Sequence, residues 1–314
     1  MKTVILDAST LGNDVDLTLF EEFGETEIYS QTLPAQVEER IKNADFVIIN
    51  KIILNESNLK YADNLKLICI AATGFDNVDT VYCNKRGIAV SNVIGYSTNC
   101  VSQLTVSMAL SLITHLPEYN RYTESGEYTI NGIQNCLTPV YHEISGMTWG
   151  IVGYGNIGKK VGNIAKALGC NVVVNKRNPA GIENFVDIDT LCKNSDIISI
   201  HTPLNDDTKN FINKDRIALM KSNAILINVA RGAVVDEKAL CDAVKYGRIG
   251  GIGVDVYSTE PFGADSPYAE IANLSNVCLT PHMAWGAYES RIRCINEIKL
   301  NIKAFLEGKE RNRV

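Results

Sequence analysis

The chain has 314 residues, of which 46% are hydrophobic and 21% are charged, and its formal net charge is −6. A hydrophobic fraction of this size in a chain of this length predicts two folded domains and excludes a disordered chain. The acidic balance argues against nucleic-acid binding, because such a protein needs a basic surface opposite the phosphates.

The cysteine pattern and the N-terminus indicate where the protein resides. The nine cysteines are scattered, their number is odd, and no two form a C-x-x-C pair, which is typical of a reducing compartment. Asp7 interrupts the N-terminal apolar run, and no stretch approaches the roughly 18 apolar residues that span a membrane. We therefore expect a cytoplasmic protein without a membrane partner, a nucleic-acid partner or a bound metal.

Short apolar runs alternate with polar stretches through the first hundred residues. The runs at 4–6, 46–49 and 67–71 predict strands, and the polar stretch 35–43 permits a helix. This alternation predicts a parallel sheet. Residues 101–116 carry apolar side chains at helical spacing, which predicts a long connecting helix.

A second alternation begins at Thr148, after a glycine- and proline-containing segment, 121–145, that we interpret as a loop. Helical patterns follow at 159–168 and 290–306. The predicted strands are 150–152, 171–174, 197–200, 224–228, 252–256 and 277–279. Their nearly continuous apolar character is typical of strands covered by helices on both faces, so the fold class is α/β.

A glycine-rich turn follows the first strand of this second half. Gly153, Gly155 and Gly158 form a G-x-G-x-x-G with Asn156 and Ile157. The pattern alone is weak, but here it directly follows a strand and precedes a helix, which is the arrangement that binds a dinucleotide diphosphate. A turn needed only for packing is the alternative interpretation.

The end of the next strand bears on the choice of cofactor. A dinucleotide site normally has an acidic residue there to bind the adenosine ribose. This chain has Asn175, followed by Lys176 and Arg177. The acidic residue that would repel a 2′-phosphate is absent, and two cations that would attract one are present. The sequence therefore predicts NAD(P)H as the cofactor, with NADPH preferred. Alternatively, Asn175 binds the ribose of NADH and both cations are solvated.

Three polar residues follow successive strands late in the chain. Arg231 follows the strand 224–228, Glu260 follows 252–256, and His282 follows 277–279. Reduction of a 2-keto acid requires a cation for the carboxylate and a proton donor for the carbonyl oxygen. Arginine and histidine suit these roles, and a glutamate beside the imidazole would orient it and favour its protonated form. Singly, each residue has an ordinary alternative as a surface ion pair, a solvated carboxylate or a structural histidine.

The chain resembles the D-isomer-specific 2-hydroxyacid dehydrogenases along nearly its whole length. The resemblance rests on the glycine-rich turn and on five further motifs: ATGFDNVD at 72–79, HTPL at 201–204, NVARG at 228–232, GVDV at 253–256 with Glu260-Pro261, and Pro281-His282. It implies two Rossmann-like parallel-sheet domains with a cleft between them, and a homodimer. It also implies a discontinuous substrate-binding domain of residues 1–98 plus 287–314, with the cofactor domain at 99–286.

The resemblance also assigns site residues. It gives Arg231, Glu260 and His282 the catalytic roles above, places Asp255 on the nicotinamide side, and implies substrate binding at Thr73 and Gly74. The remaining cofactor-binding residues that it implies are Thr202, Pro203, Val229 and Ala230.

The resemblance is strongest to the glycerate dehydrogenase, or hydroxypyruvate reductase, branch, on Asn50-Lys51 and on HMAW at 282–285. Lys51 would add a cation at the substrate, with a solvated lysine as the alternative. We therefore predict reduction of hydroxypyruvate or glyoxylate. A cofactor-sensing corepressor-like protein on the same fold and a D-3-phosphoglycerate dehydrogenase are the alternatives, whereas Glu260 argues against a formate or phosphite dehydrogenase.

Overall fold

Eleven short strands form two sheets in the structure, a computed structural model that describes residues 1–314. All of the strand pairs are parallel. The first sheet has the order β2-β1-β3-β4-β5, and its strands are β1 (Lys2–Ile5), β2 (Glu25–Ile28), β3 (Phe46–Ile49), β4 (Leu67–Ile70) and β5 (Ala89–Ser91). The second has the order β11-β10-β9-β8-β6-β7, and its strands are β6 (Thr148–Val152), β7 (Asn171–Asn175), β8 (Ile197–Ile200), β9 (Ile225–Asn228), β10 (Gly251–Val254) and β11 (Val277–Leu279).

Twelve α-helices connect and cover these strands. In chain order they are α1 (Val37–Ile41), α2 (Glu56–Leu59), α3 (Thr80–Lys85), α4 (Thr98–Ile113), α5 (Leu116–Glu124), α6 (Glu127–Asn131), α7 (Asn156–Ala167), α8 (Ile188–Asn194), α9 (Lys214–Leu219), α10 (Glu237–Lys245), α11 (Pro267–Ile271) and α12 (Tyr288–Leu306). Short 3-10 helices lie at Ala8–Leu11, Thr18–Phe23, Pro34–Gln36 and Gly232–Val234. No single helix is long and apolar enough to span a membrane. Helices α4 and α5 meet these requirements only when taken together, and they are bent by 62° relative to each other.

The chain divides into two compact units. The first is Met1–Ser97 with Gly286–Val314 and contains the five-stranded sheet, and the second is Thr98–Trp285 and contains the six-stranded sheet. Strands β3 and β4 in the first unit and β8 to β10 in the second are buried along their whole length. Their apolar side chains thus meet helices on both sheet faces, which is why these strands lack an alternating pattern.

Strand order decides where each sheet can bind a ligand. In the second unit the chain places β7 on one side of β6 and β8 on the other, so the direction of strand addition reverses between β6 and β8. Loops leaving the carboxyl ends of two such strands diverge and leave a crevice, the usual ligand site of open parallel sheets. The fold therefore directs attention to the residues that follow β6 and β8.

The predicted α/β class and the nine predicted strands are confirmed, with boundaries within two residues of those observed. Strands β2 and β5 are not predicted by the sequence. β2 reads ETEI and lies at the edge of its sheet with half of its residues exposed, so it lacks an apolar run. β5 has only three residues and is too short to show a pattern.

Two predictions around 101–145 are wrong in part. The helix predicted at 101–116 ends at Ile113, because His115 adopts a left-handed backbone with φ of 51° and a new helix then begins at Leu116. The loop predicted at 121–145 contains the end of α5 and all of α6. Gly126 and Gly132, with φ of 82° and 62°, terminate helices here rather than preventing them.

Candidate active site

The glycine-rich turn joins β6 to α7 at the point where the strand order reverses. A Cβ atom at Gly153, where φ is 89°, would lie 2.7 Å from the carbonyl carbon of His201, and one at Gly158 would collide with the carbonyl oxygen of Gly153. A Cβ atom at Gly155 would meet nothing within 4 Å, so this glycine faces open space. No side chain caps the twelve-residue helix α7, whose first N–H groups are therefore available. These features fit a dinucleotide diphosphate.

The end of β7 presents one neutral and two cationic side chains. Asn175 donates from Nδ2 to the carbonyl oxygen of Val186 at 3.0 Å, which leaves its Oδ1 as the group that can accept from a ribose hydroxyl. Lys176 and Arg177 are both exposed. The strand end therefore offers an acceptor for a ribose and two cations accessible to a phosphate.

The loop that carries Arg231 is held by a fully buried asparagine. Asn228, the last residue of β9, donates from Nδ2 to the carbonyl oxygen of Arg231 at 2.9 Å and accepts from the backbone N–H of Ala230 at 3.1 Å. The guanidinium of Arg231 donates to the carbonyl oxygen of Ala230 at 2.8 Å. These three partly buried hydrogen bonds thus fix the conformation of the loop between β9 and Arg231.

Glu260 and His282 form a close pair. Oε2 of Glu260 and Nδ1 of His282 are 2.6 Å apart, with 32% and 23% of the side chains exposed. The other carboxylate oxygen of Glu260 accepts from the backbone N–H of Tyr257 at 2.9 Å. A carboxylate at this distance fixes the orientation of the imidazole and leaves the opposite ring nitrogen for a substrate.

Asp255 anchors the loop that carries His282. Its carboxylate, only 1% exposed, accepts from the Thr280 hydroxyl at 2.6 Å and from the N–H groups of Met283 and Ala284 at 2.8 and 2.9 Å. Burial raises the pKa of Asp255, and these hydrogen bonds oppose that increase. His282 lies between these anchors with φ of 52°. Sequence reasoning missed this anchoring role, since nothing local in the sequence connects positions 255 and 283.

The HTPL motif follows β8 and lies beside the glycine-rich turn. His201 Nε2 lies 2.9 Å from Ser199 Oγ, which also accepts from the indole N–H of Trp149. Burial lowers the pKa of His201 to about 3, so this histidine is neutral at physiological pH. A Cβ atom at Gly153 would approach Thr202 N to 2.8 Å, which places Thr202 next to the turn. Pro203 follows in an exposed position, and Val229 and Ala230 occupy the corresponding loop after β9.

The first unit has its own set of predicted residues. Lys51 follows β3 and Thr73 and Gly74 follow β4, so they lie at the carboxyl ends of adjacent strands. The side chain of Asn77 links the two loops by donating to the carbonyl oxygen of Ile52 at 2.9 Å. The Lys51 side chain is exposed.

A buried carboxylate holds the loop that contains Lys51. Asp7 accepts from the backbone N–H of Asn50 at 2.9 Å and from that of Lys51 at 2.6 Å. Burial raises the pKa of Asp7 and these backbone hydrogen bonds oppose the increase. The sequence did not indicate this role, because the contact joins residues more than 40 positions apart.

The structure thus places Arg231, Glu260 and His282 on the loops after β9, β10 and β11, three adjacent strands of one unit. A Cβ atom at Gly232 would collide with the backbone of Tyr257 and Ser258, so the Arg231 loop and the Glu260 loop touch backbone to backbone. No group of three or more His, Cys, Asp or Glu side chains is arranged to hold a metal ion.

Comparison with known proteins identifies the family. Residues 106–284 match the profile described as "D-isomer specific 2-hydroxyacid dehydrogenase, NAD binding domain". The chain belongs to the D-isomer-specific 2-hydroxyacid dehydrogenases. It is accordingly an oxidoreductase that uses NAD(P)H, and the matched region lies within the unit that contains the glycine-rich turn and the Glu260–His282 pair.

Curated relatives and solved structures agree with this membership. The chain is 37% identical to a glycerate dehydrogenase from Methylorubrum extorquens, with 99% of this chain and 98% of the relative covered. It is 34% identical to a hydroxypyruvate reductase from Blautia hydrogenotrophica, with 98% of each chain covered. Among solved structures, an acyclic imino acid reductase in complex with NADPH and D-Arg superposes with a TM-score of 0.86, 30% identity and complete coverage of both chains.

Proposed function

We propose that the protein reduces a small 2-keto acid to the D-2-hydroxy acid, with hydroxypyruvate or glyoxylate as the preferred substrate. The observation that carries this proposal is the 2.6 Å pair of His282 Nδ1 and Glu260 Oε2, which lies one strand away from the Arg231 loop in an NAD-binding unit. The relatives named glycerate dehydrogenase and hydroxypyruvate reductase support the choice of substrate, since these names describe one interconversion in its two directions.

The catalytic roles follow from the chemistry of the three side chains. Arg231 binds the substrate carboxylate with its planar, two-pronged guanidinium, and Lys51 and the backbone at Thr73 and Gly74 bind the substrate as well. Bound NAD(P)H supplies the hydride to the carbonyl carbon.

His282 donates its proton to the carbonyl oxygen of the substrate, so that the product is a hydroxy acid. Glu260 orients the ring and stabilises its charged form before the proton is transferred. The neutral imidazole then recovers a proton from solvent, to which the side chain is partly exposed.

We propose that NADPH is preferred over NADH. The supporting features are the neutral Asn175 and the exposed cations Lys176 and Arg177. Gly153, Gly155 and Gly158, with Asn156 and Ile157, bind the diphosphate, and Asp255 lies on the nicotinamide side. Thr202, Pro203, Val229 and Ala230 complete the cofactor contacts from the ends of β8 and β9.

We also propose the organisation in which this activity occurs. Residues 1–98 with 287–314 form the substrate-binding domain, and residues 99–286 form the cofactor-binding domain.

A homodimer would cover apolar side chains that are exposed in and after α5 and α6, namely Leu116, Ile130, Leu137 and Val140. Nine free cysteines are compatible with a cytoplasmic location. Sedimentation velocity measures the mass of the protein in solution, and a monomeric mass at micromolar concentration would contradict the proposed homodimer.

A substrate panel tests the proposal. The purified protein is mixed with hydroxypyruvate, glyoxylate, pyruvate and 3-phosphohydroxypyruvate, each with NADH and with NADPH, and loss of reduced-cofactor absorbance is followed. We expect the highest kcat/KM with hydroxypyruvate or glyoxylate. Cofactor binding without turnover on any keto acid would contradict the proposal and indicate a cofactor-sensing binding protein.

A further inference from the structure

A second carboxylate binds the loop that carries Glu260. Glu237 is the first residue of α10, and its Oε1 accepts from the backbone N–H of Ser258 at 2.8 Å. The preceding N–H, that of Tyr257, donates to Glu260 Oε1 at 2.9 Å. Two consecutive backbone amides of one loop therefore each bind a different glutamate. Removing Glu237 would release one of the two hydrogen bonds that glutamate side chains make to this loop.

The loop between these glutamates has little freedom to move away. The backbone of Tyr257 and Ser258 packs so closely on Gly232 that a Cβ atom there would collide with both residues. On the other side, the Tyr257 ring contacts Phe262 and Tyr268 at centroid distances of 4.7 and 5.2 Å. Because both faces of the loop are packed, its hydrogen bond to Glu237 is made in a fixed geometry.

The charge of Glu237 acts on the same pair. Burial raises the pKa of Glu237 above the ordinary carboxyl range, the nearby Glu260 raises it further, and the Ser258 N–H opposes both effects. The geometry agrees, because the two carboxylates accept from consecutive N–H groups of the same loop. The other titratable groups around this cluster are Asp255 and Tyr257 beside Glu260 and His282, and Tyr268 on α11 and Cys241 on α10 beside Glu237. Two cations also lie close by: Lys238 is the next residue of α10 and pairs with Asp242, and Arg231 immediately precedes Gly232, on which the Tyr257–Ser258 backbone packs. Both cations are present in wild type and in the Glu237 variants, so a difference between these proteins reports the charge of Glu237.

We propose that Glu237 is a positioning residue for the reduction, holding the loop that carries Glu260 and favouring, by its negative charge, the protonated form of His282. This inference rests on the proposed function for its kinetic consequence. The interaction with His282 itself is a property of the folded protein and does not require turnover. Glu237 lies on α10, away in sequence from the glycine-rich turn before α7, so we expect cofactor affinity to be unchanged in its variants.

Two substitutions separate the two contributions. Glu237→Gln keeps an oxygen that accepts from the Ser258 N–H but removes the charge, whereas Glu237→Ala removes both. In Glu237→Gln the alkaline limb of the reductive pH profile moves to lower pH. A displacement of about half a pH unit corresponds to roughly threefold less imidazolium at a fixed pH above the midpoint. Glu237→Ala shows the same displacement with a further loss of kcat, because the loop loses its anchor.

The control variant and a direct readout complete the experiment. Asp242→Asn removes the same charge from the exposed side of α10, where Asp242 pairs with Lys238, and leaves the profile unchanged. The chain has only four histidines, so the ring signals of His282 can be assigned in an NMR titration by their absence from His282→Ala. The His282 titration midpoint falls in Glu237→Gln relative to wild type and to Asp242→Asn.

The two readouts distinguish the two proposals. If no keto acid is reduced but the midpoint of His282 still falls, the proposed function fails and the interaction stands. An identical His282 midpoint in wild type and Glu237→Gln overturns the charge effect, and an identical kcat in Glu237→Gln and Glu237→Ala overturns the anchoring role.

Discussion

The backbone beside His282 is held by Asp255, a buried side chain outside the proposed catalytic set. His282 has φ of 52°, a left-handed conformation that costs a residue other than glycine about 1–3 kcal/mol. The carboxylate of Asp255 offsets this cost by binding the backbone on the carboxyl side of His282. The backbone position of His282 therefore depends on the hydrogen bonds that Asp255 makes to Met283 and Ala284.

Substitution of Arg231 by lysine tests the role of the guanidinium. Lysine keeps the positive charge but cannot form two parallel hydrogen bonds to a carboxylate or retain the same contact with the Ala230 carbonyl. We expect the KM for the keto acid to rise about tenfold or more, corresponding to loss of a charge-assisted hydrogen bond. Steady-state kinetics with each substrate varied in turn measures this, and a change confined to the KM for NAD(P)H would contradict the role in carboxylate binding.

Substitution of Glu260 by glutamine tests its coupling to His282. Glutamine preserves the size of the side chain but not the negative charge that favours the imidazolium at 2.6 Å. Reduction requires the protonated ring, so the alkaline limb of the kcat/KM profile should move to lower pH. Glu289→Gln, which changes an exposed carboxylate at the start of α12, serves as the control. A Glu260→Gln profile that coincides with that of the control would show that the two side chains are not coupled.

At the scale of elements, the sequence predicts best the strands of the parallel sheets and the residues that directly follow them. Residues that follow successive strands lie at one edge of the sheet, so the placement of Arg231, Glu260 and His282 together was predictable from short apolar runs alone. The anchors Asp7, Glu237 and Asp255 were not, because each binds backbone groups 21 or more positions away along the chain. Such contacts depend on how elements pack, which no local pattern encodes. The edge strand β2 was missed for a related reason, since only its pairing with β1 makes it a strand.

The loop after β7 should set the choice of cofactor. Arg177→Ala removes an exposed cation without disturbing a hydrogen bond of the fold, and we expect it to weaken kcat/KM for NADPH about tenfold while leaving NADH nearly unchanged. Asn175→Asp should shift the preference towards NADH by repelling a 2′-phosphate. It also places a carboxylate against the Val186 carbonyl, to which Asn175 now donates, so some loss of stability is expected. The prediction fails if wild type strongly prefers NADH and Arg177→Ala leaves the ratio of the two kcat/KM values unchanged.

At the scale of the whole molecule, His201 should make stability depend on pH. Its pKa is lowered by burial from 6.5 to about 3 in the folded state. Between these values the unfolded chain binds a proton that the folded chain does not, so stability is retained above pH 6.5 and decreases as the pH falls. The slope is at most about 1.4 kcal/mol per pH unit. Urea unfolding at pH 7 and pH 5 should show a smaller decrease for His201→Gln than for wild type. The exposed His142→Gln is the matched control, and equal decreases in all three proteins would contradict the assignment.

The central claim is that this NAD(P)-dependent protein reduces a 2-keto acid with a proton from His282. The most direct measurement is NAD(P)H consumption with hydroxypyruvate by wild type and by His282→Ala, combined with fluorescence titration of the reduced cofactor. We predict turnover by wild type, a turnover lower by about 10²–10⁴ in the variant, and equal cofactor affinity. Near-normal turnover by His282→Ala would contradict the account.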